Sequence, residues 1–198
     1  MEILLGTNNE NKLRQFRRMF SKFFPEVRLF SLLEKGIEDD IEEDGETLLE
    51  NASKKARFFG EKSKMLTLSD DTGLFVDALN GDPGMHAKRW HKGTEKDRNL
   101  KLIERLKDVP ENERTCHYLG VLAVYNPKNG KIWVYEGKTE GWISDQFRGE
   151  SGFGYDAIFK TKKYPGCHYA ELDHAKKDWI SHRGRGIRKL AKEIENIL

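Results

Sequence analysis

Cysteine is almost absent. The 198 residues hold two, Cys116 and Cys167, each followed by histidine. That excludes a disulfide framework and the paired spacing of a zinc site. Adjacent residues on a strand point to opposite faces, so Cys116 and His117 do not share one ion, and both cysteines are read as packing residues. No apolar run approaches membrane-spanning length. The opening Met1-Glu2-Ile3-Leu4-Leu5-Gly6 is too short and too soon polar for a signal peptide, so a cytoplasmic protein with no membrane partner is expected. An excess of one charge is also missing: 35 Lys and Arg against 33 Asp and Glu leave a net charge of +2. Bulk electrostatics therefore point to neither nucleic acid nor membrane, and any charge-based function must come from local clusters. Internal repeats, low-complexity tracts and domain linkers are not seen.

What is present suffices for a core. At 37% hydrophobic and 34% charged residues, the chain reads as one soluble domain over 1–198, or two closely joined lobes. Short apolar runs alternate with helical patterns, the signature of a layered α/β fold. Ile3 to Gly6 reads as a strand, followed by a polar loop and a helix carrying Leu13, Phe16, Met19, Phe20 and Phe23. Val27 to Phe30 reads as a second strand and Leu48 to Phe59 as a second helix, with the acidic loop Glu38 to Glu46 between them. Met65 to Leu68 and Leu74 to Leu79 read as strands on either side of Asp70-Asp71, and Asn80-Gly81-Asp82-Pro83-Gly84 as a turn. Thr94 with Asp97 opens a helix by a capping-box pattern. Thr115 to Tyr125 and Lys131 to Ile143 form the clearest hairpin, and Leu172 to Ile180 and Ile187 to Leu198 read as closing helices.

Four places can carry chemistry. Ser69-Asp70-Asp71-Thr72-Gly73 sets two carboxylates between apolar runs. At a strand end one of them can face a cleft and hold a divalent cation or take a proton from water, but the same residues also make a good turn. Both readings stand on the motif alone. The loop Thr7-Asn8-Asn9-Glu10-Asn11-Lys12 hands a strand to a helix start with a lysine beside it, which suits phosphate, although it lacks the glycine spacing of a Walker loop. Ser181-His182-Arg183, ahead of the last helix and with Lys177 upstream, offers a second cationic helix start. Each of these can equally be a capped connection or a solvated basic face. Gly152-Phe153-Gly154-Tyr155-Asp156 places a ring between two glycines, as a stacking platform or a buried plug. Together they supply cations for phosphates, carboxylates for Mg2+ and a ring for a base.

The residues Thr7-Asn8-Asn9 with Lys12, Glu46-Thr47 with Glu50-Asn51-Ala52, Asp70 to Leu74, Asp82-Pro83-Gly84, Gly152 to Asp156 and Ser181-His182-Arg183 occur in this order along nearly the whole chain. This series resembles the successive motifs of the inosine-triphosphate pyrophosphatase family, also called dITP/XTP pyrophosphatases. The resemblance implies a mixed central sheet with flanking helices, two lobes around a deep nucleotide-binding cleft, and a homodimer. It implies Mg2+-dependent hydrolysis of ITP, dITP and XTP to the monophosphate and pyrophosphate, with Mn2+ as an alternative ion. Carried over by motif, Thr7, Asn8, Asn9, Glu10, Asn11 and Lys12 would bind the triphosphate. Asp71 would accept the proton and share the metal with Glu43. Thr72, Phe153, Gly154, Tyr155, Asp156, Lys177, His182 and Arg183 would contact the substrate, and Asp70 would bind a second ion or brace its neighbour. Three segments depart from the pattern: Thr72 replaces a serine, Ala157 a proline, and His86-Ala87-Lys88-Arg89-Trp90 a segment closer to Tyr-Ser-Ala-Arg-Tyr. Rival readings are a pyrophosphatase of modified pyrimidine or ordinary triphosphates and, more distantly, a nucleic-acid-binding module built on Arg183 to Lys192.

Overall fold

A computed structural model describes residues 1–197. The strands are β1 (Glu2–Leu5), β2 (Arg28–Ser31), β3 (Thr67–Val76), β4 (Pro83–Gly84), β5 (Thr115–Asn126), β6 (Lys131–Ile143) and β7 (Phe159–Thr161). The helices are α1 (Glu10–Phe23), α2 (Leu48–Ser63), α3 (Glu95–Arg105), α4 (His174–Ile180) and α5 (His182–Ile197). The strands form one mixed sheet in the order β2-β1-β3-β5-β6-β7, with β4 paired to β3. β1 runs parallel to β2 and β3, whereas β3–β4 and β6–β7 are antiparallel. The expected mixed α/β architecture is therefore present. Among the described residues no helix is long and apolar enough to cross a membrane.

The chain divides into two compact units. The first comprises Met1–Asp71, Gly120–Gly137 and Arg183–Leu198, the second Thr72–Leu119 and Lys138–His182. In the first unit the period of α1 places Phe16, Met19 and Phe20 on one face, where they pack with Ile3, Leu5, Leu68, Leu122 and Ile187. Each such side chain contributes about 1.5–3 kcal/mol by leaving water. Helix α2 approaches β5 closely because residue 60 is glycine: a Cβ there would lie 2.6 Å from the Tyr125 ring. The second unit has its own core of Leu74, Leu102, Ile143, Ile158, Phe159 and their neighbours. Cys116 is buried in that core and Cys167 packs against it.

Several elements differ from the sequence expectation, and Pro83–Gly84, expected within a turn, forms the short strand β4 on β3. Met65 to Leu68 and Leu74 to Leu79 are not two strands around a turn: Thr67–Val76 is one ten-residue strand, and Asp77–Leu79 form a 3-10 turn. Asp70 and Asp71 consequently lie inside β3, neither in a turn nor at a strand end. The last helix starts at His182, so His182 and Arg183 occupy its first turn and do not precede it.

Candidate active site

The predicted site residues fall into two sets, one in each unit. In the first unit, β1 pairs with β3 through Leu4↔Thr67 and Leu5↔Leu68, and Gly6 N–H donates to the Leu68 carbonyl at 2.8 Å. Residue 6 must be small, because a Cβ would sit 2.3 Å from Ser69 Oγ. This close approach carries the loop that leaves β1 past Asp70. Asn9 caps α1: its side-chain oxygen accepts from the backbone N–H groups of Asn11 (3.0 Å) and Lys12 (3.2 Å). The expected helix-start N–H groups are thus capped by the chain itself, and the cation at this loop is Lys12. Thr7 Oγ1 accepts from Asn9 N–H at 3.2 Å. Asn8 and Glu10 are exposed, and Asn11 is half-buried.

Successive side chains of β3 alternate across the strand, and the two aspartates meet different partners. Asp70, its side chain fully buried, pairs with Lys12 Nζ at 3.1 Å through Oδ1 and with Arg183 Nε at 2.9 Å through Oδ2. Arg183 also donates to Gln15 at 3.1 Å. Burial opposes ionisation of Asp70, but Lys12, Arg183 and Lys55 outweigh it and hold the carboxyl well below the usual carboxylate range. Burial lowers the Lys12 pKa, with Asp70 offsetting part of the effect. Asp71 accepts from Asn51 Nδ2 at 3.3 Å and from Lys55 Nζ at 3.4 Å. Burial pushes its carboxyl up, since Lys55 and Lys12 only partly compensate and Glu43 and Asp70 add to the rise.

Helix α2 organises the acidic loop. Thr47 caps it by accepting from Glu50 N–H at 3.1 Å, Glu50 accepts from Glu46 N–H at 2.7 Å, and Asn51 Oδ1 accepts from Gly45 N–H at 2.8 Å. Lys54 pairs with Asp44 at 2.5 Å and Lys62 with Asp39 at 2.5 Å. Lys55, buried on the same helix, pairs with Glu43 and donates to the Asp70 carbonyl at 2.9 Å. Of the acidic residues in the loop, Glu43 is therefore the one that shares a cation with Asp71. Burial acts to lower the Lys55 pKa, but Asp71, Asp70 and Glu43 raise it on balance. Lys55 is absent from the sequence expectations, and Asn51 enters them only within the motif Glu50-Asn51-Ala52, with no role at the site. Their signal was position, since both lie on the buried face of α2 with Leu48, Ala52 and Phe59, and a lysine in an apolar stripe needs a carboxylate partner.

The second set belongs to the second unit. Thr72 is half-buried on β3. The loop 149–156 turns on glycines with left-handed φ: +79° at Gly149, +102° at Gly152 and +70° at Gly154. At Gly152 a Cβ would lie 2.2 Å from Asp156 Oδ2 and 2.4 Å from Lys177 Nζ. Asp156 accepts from Phe153 N–H at 3.2 Å, Lys177 Nζ at 3.1 Å and Tyr118 OH at 3.4 Å. Asn99 of α3 donates to the Gly154 carbonyl at 3.1 Å. The Phe153 ring is half-buried, whereas Tyr155 is a core residue whose hydroxyl donates to the Ala87 carbonyl at 2.8 Å; burial pushes that hydroxyl up to about 12. His182 is buried, its ring 5.1 Å from that of Tyr118. Tyr118 and Asn99 are the residues of this set that the sequence reading missed, and no motif marks them.

The first set brings three cations, Lys12, Lys55 and Arg183, against three carboxylates, Glu43, Asp70 and Asp71. No group of three or more His, Cys, Asp or Glu that could hold a metal ion occurs among the described residues. Two carboxylates nonetheless match Mg2+, which is often held by one or two carboxylates together with substrate phosphates and water. Glu43 and Asp71 converge on the Lys55 ammonium group, so their oxygens reach one point where a cation is held, and the pair fits a divalent cation.

A family model described as the Ham1 family matches residues 3–193. A dITP/XTP pyrophosphatase of Thermoanaerobacter sp. (strain X514) is 41% identical over 196 residues, 98% of this chain and 96% of that protein. One of Clostridium perfringens (strain 13 / Type A) is 37% identical over 205 residues, 100% of this chain and 98% of that protein. The solved Staphylococcus aureus Ham1 protein superposes with a TM-score of 0.86 at 30% identity, covering 100% of both chains. A HAM1 protein from Coxiella burnetii gives 0.86 at 32% identity, with 99% of each chain covered.

Proposed function

Because the chain belongs to the Ham1 family, we propose that it is a nucleoside-triphosphate pyrophosphatase acting on non-standard purine triphosphates, ITP, dITP and XTP, and so clearing them from the nucleotide pool. The observation that carries the reading is the pair Asp70-Asp71. One carboxylate is locked between Lys12 and Arg183, and the other meets Lys55 at 3.4 Å and is raised in pKa chiefly by burial. The first carboxylate fixes two cations for phosphate. The second suits a proton acceptor, since a base works best when its pKa lies near the working pH.

Water attacks the α-phosphorus: a new O–P bond forms, the bond to the β-phosphate oxygen breaks, and the monophosphate and pyrophosphate result. Asp71, oriented by Asn51 and Lys55, takes the proton of the attacking water. Lys12 and Arg183 neutralise phosphate charge and help the leaving pyrophosphate. Glu43 and Asp71 would hold Mg2+, or Mn2+ in its place, which neutralises phosphate oxygens when bound. Catalysis is then mainly positioning and electrostatics.

The base is assigned to Phe153, His182 and the loop up to Asp156. Hypoxanthine and xanthine carry an oxygen at C6 where adenine carries an amino group. A donor from His182 pairs with the oxygen and opposes the amino group, and buried donors left unpaired discriminate strongly. A cytoplasmic location and a homodimer belong to the same proposal, which rests for both on the family resemblance.

The test is product identity. Purified protein incubated with ITP and Mg2+ should give IMP and pyrophosphate in equal amounts, and EDTA should stop the reaction. Release of inorganic phosphate and IDP, or undiminished turnover in EDTA, overturns the assignment. Modified pyrimidine and ordinary triphosphates in the same assay address the nearer rival.

A further inference from the structure

Tyr118 stands outside every motif, yet it touches two groups assigned to the base. It lies on β5 with 7% of its surface exposed. Its ring centroid is 5.1 Å from that of His182, with the planes 31° apart, and 4.8 Å from that of Phe159. Its hydroxyl donates to Asp156 Oδ1 at 3.4 Å. The other oxygen of that carboxylate accepts from Phe153 N–H and Lys177 Nζ. Phenylalanine would fill the same volume in an aromatic core, and a buried hydroxyl is costly unless it finds a partner. Here the partner is the carboxylate that closes the turn carrying Phe153. Burial raises the Tyr118 pKa well above that of a free phenol, with Asp156 adding to the rise, so the group remains a donor.

We propose that Tyr118 is a positioning residue for base selection, its ring fixing the plane of His182 and its hydroxyl fixing the Phe153–Asp156 turn. The inference rests on the assignment of the base to these residues in the proposed function. An imidazole that donates to the C6 oxygen must hold its N–H in one direction. A ring packed against it removes the rotation that would spoil that direction. The Phe153–Asp156 turn sets the base in register with that N–H, so loss of the hydroxyl, with the ring still packed on His182, should weaken the pairing that only a C6 oxygen makes while the chemistry at phosphorus continues.

The experiment compares wild type, Tyr118→Phe and, as a control, Tyr135→Phe. The control removes a hydroxyl that donates to Glu193 at 3.0 Å in the first unit. Tyr118→Phe should raise KM for ITP about fivefold, the scale of one modest hydrogen bond, and leave kcat within about twofold. KM for ATP should stay put, so the ITP-to-ATP ratio of kcat/KM falls about fivefold; in the control the ratio should not move. Calorimetric binding of IMP and AMP should show the same selective loss. An unchanged ratio in Tyr118→Phe, or equal losses for both substrates, overturns the role of Tyr118 and leaves the proposed function standing. A wild-type protein that does not prefer ITP to ATP overturns the proposed function, and this inference with it.

Discussion

Replacing Asp70 by asparagine tests the electrostatic design of the first unit. The Asp70 side chain is fully buried, with Arg183 (4% side-chain exposure) at 2.9 Å and Lys12 (14%) at 3.1 Å. Asparagine keeps the shape and removes the charge, which leaves two nearly dry cations facing a neutral amide. Breaking a buried ion pair from one side costs about 3–5 kcal/mol. At roughly 2–4 °C per kcal/mol for a chain of this size, Tm should fall by about 6–20 °C. Urea unfolding followed by far-UV circular dichroism at pH 7 measures the free energy directly. As a reference, Lys101→Ala breaks an exposed pair with Glu104 and should cost under about 1 kcal/mol. The folded Asp70 carboxyl ionises at lower pH than the unfolded one. Its contribution is therefore complete above about pH 4, the ordinary aspartate value, and is lost as pH falls toward the folded pKa. The gap between wild type and Asp70→Asn should accordingly be flat from neutral pH to about pH 5 and narrow below about pH 4. A stability loss no larger than that of Lys101→Ala would show that Asp70 does not hold Lys12 and Arg183 by charge.

Asp71→Asn should cut pyrophosphate release from ITP by about 10²-fold or more with calorimetric ITP binding largely retained; near-normal turnover removes Asp71 as the proton acceptor. Glu43→Gln should raise the Mg2+ concentration for half-maximal activity severalfold, and an unchanged Mg2+ titration separates Glu43 from the metal. Thr94→Ala removes the cap of α3, where Thr94 Oγ1 accepts from Asp97 N–H at 3.2 Å and Asp97 accepts from Thr94 N–H at 2.7 Å. It should cost about 1 kcal/mol with no change in activity, read as a Tm shift. Gly149→Ala forces a Cβ to 2.2 Å from the Ala170 carbonyl carbon at a φ of +79°. KM for ITP should rise, and unaltered kinetics would show that the 149–156 loop does not touch the nucleotide.

Element order and most boundaries were legible in the sequence because period and caps carry them. Phe16, Met19 and Phe20 marked α1, Thr94 and Asp97 marked α3, and the turn residues Asn126-Pro127-Lys128-Asn129-Gly130 marked the β5–β6 pair. Strand β3 was not legible as one element. Its interior, Ser69-Asp70-Asp71-Thr72-Gly73, is composed like a turn, and it is held as a strand by its sheet neighbours β1, β4 and β5 and by the distant partners Lys12, Arg183, Lys55 and Asn51. The site shows the same division. Residues joined by local motifs, Lys12 beside Asn9 or Phe153 beside Asp156, could be read from spacing. Lys55, Gln15, Asn99 and Tyr118 are recruited across long stretches of chain, where one sequence offers no periodic signal.

The most direct measurement of the central claim is kcat/KM for pyrophosphate release from dITP against that from dATP, with Mg2+ present. Two substrates that differ only at the base share the same triphosphate chemistry, so their ratio isolates recognition of the C6 oxygen. A preference for dITP of about 10²-fold or more is expected. Equal values for the two substrates would contradict it.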